Sequence, residues 1–340
     1  MLSGFAFGTF SVAATGARFV GIVVNDRVIP LSAFQEPARK LGVELKGAGT
    51  LQEWLQDWDR NLTGLLSLLD EEEGLGPGCA SSQALDVSSL QVHAPLEPRQ
   101  ILCSGANYRK HVIDLVVAGG GGPENEHLSP EERRALAEQL MDERARRGTP
   151  YLFPKLPSSV TGPFDSIILP GDVRQPDWEL ELAVVLGRPA RRVARSEALR
   201  YVAGYTIAND ITARDHVFRR DVTAMGTDWL ASKSRPTFTP LGPHLVPARF
   251  VENPQALQIT LKVNGQPMQN ESTADMIFDV ARLVEFASGL VQLWPGDVIL
   301  TGSPAGNGAH YGRYLQPGDV VESAITHLGA QRNVCVAEGS

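Results

Sequence analysis

Two hydrophobic rhythms divide the chain. In FVGIVVNDRVIPL (residues 19–31) two branched-aliphatic runs flank Asn25-Asp26, the pattern of a β-hairpin with its turn at those residues. Thr50 precedes LQEWLQDW with Glu53 three residues on, so a capping box opens a short amphipathic helix through Trp54, Leu55 and Trp58. Residues 70–82, DEEEGLGPGCASS, read as an acidic, then Gly- and Ser-rich loop. From Leu96 onward short β-rich runs follow one another between turns: RQILCSG, DSIILPGDV, ELAVVLG, YVAGYTIAND, LQITLKVNG, DVILTGS and DVVESAI. PGDV recurs at Pro170, Pro295 and Pro317, where Pro then Gly suits a type II turn and Asp-Val starts a strand. Residues 273–290 carry apolar side chains at Met276, Ile277, Val280, Leu283, Val284 and Ala287, the spacing of a helix. The pattern predicts an α+β protein dominated by strands.

One segment breaks that rhythm. Four glycines (119–122) lead to Ser129, Pro130 and Glu132, the cap, first position and box partner of a charged helix with a thin stripe at Leu136, Leu140 and Met141. It is either a surface insertion or a mobile lid over a site.

Composition narrows the function. The hydrophobic fraction of 43% and the charged fraction of 21% are those of a soluble globular protein, and 340 residues allow one large domain or two unequal ones. A net charge of -8 without a basic stripe argues against nucleic acid. The apolar N-terminus lacks a basic lead and is interrupted by Arg18, so no membrane segment is expected. Cys79, Cys103 and Cys335 are far apart and odd in number, as reduced thiols of a cytoplasmic protein would be.

The candidate chemistry begins at PDWELELAVVLG (176–187). Strand alternation puts Glu179 and Glu181 on one face and Trp178, Leu180 and Leu182 on the other. Two ionised carboxylates about 5 Å apart repel by roughly 3 kcal/mol at an effective dielectric near 20. A divalent cation between them would turn repulsion into attraction; a solvent-facing edge would explain the alternation as well. Asp210, ending the apolar run YVAGYTIAND, adds a third acid. An all-oxygen set selects a hard cation, Mg2+ with Mn2+ or Ca2+ as substitutes, over zinc.

In order, ILCSGANYRKH, PDWELELAVVLG, YVAGYTIANDITARD, SKSRPTFTPLGP, VNGQPMQNESTADMIFDVARLVEFAS, WPGDVILTGSPAG and LQPGDVVES resemble the fumarylacetoacetate hydrolase family over most of residues 98–325. The resemblance implies a strand-rich mixed β-roll in residues 96–340, a smaller N-terminal α+β domain in 1–95, a lid within 112–149, and a homodimer. It implies an Mg2+-dependent hydrolase that cleaves the C–C bond of an acylpyruvate or related 2,4-dioxo acid. A decarboxylase, hydratase or dehydratase of a 2-oxo acid, and a non-catalytic binding protein, are the alternatives. Position by position, it places the metal on Glu179, Glu181 and Asp210. Catalysis falls to His111, oriented by Asp114, and to Lys233; substrate binding falls to Tyr108, Arg214 and Ser303. Three departures lie where substrate is expected: Val217 for a glutamine, Arg235-Pro236 for Phe-Asp, and a longer insertion. Arg235 and the arginines of the insertion suit a larger or more anionic substrate.

No rival motif competes. TGSPAGNG lacks the lysine of a phosphate loop, no Gly-x-Ser-x-Gly elbow is present, and Cys103 lies in an apolar strand.

Overall fold

The computed structural model describes residues 4–12, 16–75, 83–118 and 127–339. Cys79 and the four glycines expected to act as a hinge lie outside them. The hairpin forms as expected: Arg18–Val24 pairs antiparallel with Arg27–Pro30. Asn25 and Asp26 both take positive φ, 47° and 62°, as a two-residue turn matching strand twist requires. These strands join Ala6–Val12, Leu85–Asp86 and Leu90–His93 in a five-stranded sheet. Thr50 caps helix Leu51–Leu55 by accepting from the Glu53 backbone N–H at 3.1 Å. The following helix, Trp58–Leu75, runs past Asp70, where a loop was expected. Glu71 to Glu73 are good helix formers, and no breaker stands between Asp70 and Gly74.

Two larger sheets carry most of the rest, beside two short pairs, Pro176–Asp177 with Thr212–Ala213 and Val160–Thr161 with Thr239–Pro240. Six strands run in the order Val246–Pro247, Val202–Asn209, Leu180–Leu186, Val298–Leu300, Ile101–Gly105, Tyr151–Lys155. Five run Gln266–Ser272, Gln258–Val263, Val320–Ile325, Gly329–Ala337, Ile167–Leu169. The six-stranded sheet is the middle layer, and the alternation of its second-longest strand shows it. Leu180, Leu182, Val184 and Leu186 enter one core with Ile259, Leu261 and Val321. Ala183 and Val185 enter another with Phe7, Ile22, Trp54 and Trp58 of the N-terminal unit. Glu179 and Glu181 belong to that second face but lie at the strand's entrance, before either core closes over them.

Two expectations need correction. Gly296 and Gly318 take φ of 87° and 93° in turns that lead into Val298–Leu300 and Val320–Ile325, as type II turns should. The first PGDV differs: its turn closes from the Val173 N–H to the Pro170 carbonyl, Gly171 is not in the left-handed region, and no strand follows directly. The helix expected over 273–290 begins only at Val280, capped by Asp279. Asn107 captures the chain before it: Ile277 N–H donates to the Asn107 carbonyl at 2.7 Å and Phe278 N–H to its side-chain oxygen at 2.9 Å. Helix Pro130–Arg147 starts with the full Ser129–Glu132 capping box. It packs on helix Arg109–Ala118 through Val112, Ile113, Ala137 and Met141. No helix among the described residues is long and apolar enough to cross a membrane.

Candidate metal centre and active site

The antiparallel register explains why three distant acids meet. Leu180 pairs with Asn209, the Asp210 N–H donates to the Glu179 carbonyl at 2.7 Å, and the Glu179 N–H donates to the Asn209 side chain at 2.9 Å. Asp210 therefore leaves its strand beside the point where Glu179 and Glu181 enter theirs. Ligand atoms of Glu179, Glu181 and Asp210 all lie within 4.8 Å of one another, and all three residues are buried.

Burial of three carboxylates demands counter-charge. Lys233, ending helix Trp229–Lys233, donates to Glu179 Oε2 at 2.6 Å and Asp210 Oδ2 at 2.5 Å. Arg214 donates through Nε to Asp177 Oδ2 at 2.8 Å and through its other arm to Glu179. Two partners were not anticipated. Lys155 ends strand Tyr151–Lys155 with its ammonium fully buried, donating to Asp210 Oδ1 at 2.5 Å and to the Phe238 carbonyl at 2.7 Å. Asp177, fully buried, accepts from Arg214 and from the Gly308 and Ala309 backbone N–H groups. A lysine closing YLFPK usually extends its ammonium to water, so the sequence holds no signal for Lys155. Asp177 did carry one, as an acid two residues before Glu179 within an otherwise apolar approach.

The acids differ in charge. Burial pushes the Glu179 carboxyl up, but Arg214 and Lys233 outweigh it and hold it at about 2. Glu181 has no such pair; burial, Asp210 and Glu179 push its pKa well above the carboxylate range. Its fixed donor is the Gly302 N–H at 2.6 Å. Gly302 takes φ 97°, and a Cβ there would sit 2.9 Å from that of Asn107, so glycine is required. The donor set fits a hard divalent cation: burial and two neighbouring acids oppose the charge on Glu181, and a cation among the three would relieve the conflict.

His111 projects from helix Arg109–Ala118, half-buried, where burial lowers its pKa to about 4 against the pull of Glu179; its imidazole is neutral at pH 7. Asp114 does not hydrogen-bond it. Its carboxylate accepts from Arg134 of the 130–147 helix at 3.2 Å. Tyr108 is fully buried in the larger core, and its hydroxyl meets no hydrogen-bond partner among the described residues. Ser303 Oγ accepts from Gln269 Nε2 at 3.0 Å. Arg235 donates to Asp172 at 2.7 Å and to the Ala231 carbonyl at 3.0 Å. Glu179, Glu181, Asp210, Lys233 and Arg214 thus form one cluster, with His111 within electrostatic reach.

The fumarylacetoacetate hydrolase C-terminal family model matches residues 100–336. The mitochondrial oxaloacetate tautomerase of Xenopus laevis is 32% identical, covering 91% of this chain and 90% of its own. That of Rattus norvegicus is 40% identical, covering 73% and 70%. Among solved structures, a fumarylacetoacetate hydrolase from Exiguobacterium antarcticum superposes with a TM-score of 0.72 at 26% identity, covering 98% of this chain and all of that one.

Proposed function

Because the chain belongs to the fumarylacetoacetate hydrolase family, enzymes of oxo acids, we propose that it interconverts the keto and enol forms of a 2-oxo diacid of the oxaloacetate type. Glu179, Glu181 and Asp210 hold the divalent cation, Mg2+ or Mn2+. When bound, that cation supplies Lewis-acid polarisation of the 2-oxo group. Neutral His111 takes the proton from the adjacent carbon, and a proton returns to the 2-oxo oxygen. Lys233 and Arg214 keep Glu179 ionised and fixed in place, and the Ser303 hydroxyl, oriented by Gln269, offers a hydrogen bond to the substrate.

One observation carries the reading: Asp114 is committed to Arg134, so His111 stands without an orienting acid. C–C hydrolysis needs a water generated and aimed at a carbonyl, whereas tautomerisation needs only a proton moved within the bound substrate. The tautomerase relatives support the same choice. Hydrolysis of an acylpyruvate is the second reading, favoured by the three-residue spacing of His111 and Asp114 within one helical turn; decarboxylation, hydration and dehydration share the same proton chemistry.

Stopped-flow decay of enol-oxaloacetate absorbance, with Mg2+ and with EDTA, tests the proposal. Metal-dependent acceleration without pyruvate release is expected. Pyruvate from an acylpyruvate, with no effect on oxaloacetate enol, would install the hydrolase instead. We place the enzyme in a reducing compartment, where the buried free thiols of Cys103 and Cys335 persist, and as a homodimer, which sedimentation at twice the 36.8 kDa chain mass would bear out.

A further inference from the structure

Two imidazoles near the acidic cluster have neither hydrogen bond nor ion pair among the described residues: His111, and His310 on the short helix Gly308–Tyr311. His310 is exposed, its ring edge-on to Tyr311 at 4.8 Å, and its charge is felt at His111. Its position is fixed from beneath. Asp177 accepts from the Gly308 and Ala309 N–H groups while holding Arg214, which in turn grips Glu179. Tyr311 anchors the other end by donating to the Met268 carbonyl at 2.9 Å. The turn that carries His310 is therefore braced directly against the acidic cluster.

Most neighbouring cations already face acids, and Arg144 donates to the Ala106 carbonyl. Lys155 and Lys233 hold Asp210 and Glu179, Arg214 holds Asp177 and Glu179, Lys110 pairs with Glu271, Arg134 with Asp114 and Arg235 with Asp172. A substrate that grips a cation through its carboxylate and 2-oxo oxygen has its other end directed away from the acids. A second carboxylate at that end needs a donor not already used, and His310 is one.

We propose that His310 binds the distal carboxylate of the substrate, so that the site selects 2-oxo diacids over monoacids. This rests on the 2-oxo diacid reading above and names the residue that would read the second carboxylate. His310 is a binding residue; the proton movement stays with His111.

L-malate and L-lactate are unreactive probes that chelate alike through carboxylate and 2-hydroxyl and differ by one distal carboxylate. Calorimetric titration of the Mg2+-loaded protein with each should show malate bound more tightly. His310→Ala should cut malate affinity about tenfold or more, the worth of a hydrogen bond to a charged group, and leave lactate within about twofold. His310→Asn, which keeps a side-chain N–H, should recover part of the preference. His310 is exposed, so both variants should melt as the wild type does. Equal binding of malate and lactate by the wild type, binding of neither, or an unchanged preference in His310→Ala overturns the assignment. Failure of the tautomerase reading has a different signature: oxaloacetate enol decays at the uncatalysed rate while the His310-dependent malate preference persists.

Discussion

In the cluster around Glu179 the ionised side chains are buried and shared: Lys233 touches two acids, Asp210 accepts from two lysines, and Glu179 accepts from Lys233 and Arg214. Across the helices at 109–118 and 130–147 the charges are paired singly and in water. Arg134 and Asp114 expose 50% and 19% of their side chains, Arg109 and Asp142 38% and 55%. Breaking a buried pair strands a charge and costs about 3–5 kcal/mol, whereas an exposed pair is worth about 0–1 kcal/mol. The acidic cluster is therefore held in shape before any cation arrives, while the helices beside it are joined chiefly by the small apolar cluster of Val112, Ile113, Ala137 and Met141. The same residue types make a rigid centre in one place and a weakly fastened helix pair in the other.

The comparison breaks most sharply at the acids. Asp210→Asn or Glu181→Gln should weaken metal binding by more than about 100-fold, beyond the 10- to 100-fold typical of outer partners. Metal analysis of dialysed protein reads this directly. Retention of a stoichiometric ion by either variant would remove that residue from the ligand set.

Lys155→Met comes next. The substitution keeps the side chain's length but leaves Asp210 to Lys233 alone, and should cost about 3 kcal/mol of stability in metal-free protein. It also removes a cation that competes with the metal for Asp210. Added Mg2+ should raise the melting temperature of the variant by more than it raises the wild type's. An equal rise in both would mean that Lys155 and the metal do not share the Asp210 charge.

Proton uptake gives the third test. The His111 imidazole is neutral above about pH 4, so a rate that depends on it as base should be flat across neutral pH and fall on the acid side toward about 4. A bound cation pushes the same way. Stability follows the same sign: the unfolded chain takes up a proton near 6.5 that folded His111 refuses until about 4, so stability is lost as pH falls through that window. An acid limb at 6.5 would assign the base elsewhere.

The contrast between the regions also marks what the sequence could convey. Alternation in PDWELELAVVLG separated the acids from Trp178, Leu180 and Leu182, and the three-layer fold keeps that division. The hairpin turn and the Ser129 cap are local events and were legible as such. Lys155 was not, because its partners Asp210 and the Phe238 carbonyl lie 55 and 83 residues away and only the folded topology brings them to it. The 280–290 helix start was misplaced for a related reason: Met276 and Ile277 keep helical spacing, but Asn107, far back in the chain, captures the backbone of Ile277 and Phe278 first. His111 and Asp114 show the opposite error. Their spacing suits a hydrogen-bonded pair, yet a third residue from another helix takes the acid.

That competition provides the smallest and finest test. Arg134→Ala removes one exposed ion pair, so stability should change by less than about 1 kcal/mol and the apolar cluster should keep the two helices together. The informative change is local. Asp114 already raises the His111 pKa through space, against the larger effect of burial. Freed of Arg134, its carboxylate keeps only Lys110 one turn back, itself paired with Glu271, and can turn toward the imidazole one helical turn away. The His111 resonance, followed by NMR titration, should then move up from about 4, and the acid limb of the rate should move with it. Such a shift would show that the 130–147 helix controls whether His111 acts alone, as tautomerisation allows, or in a dyad able to activate water. An unmoved titration would separate the two regions completely, leaving the arginine as surface and the histidine as a base set by burial alone.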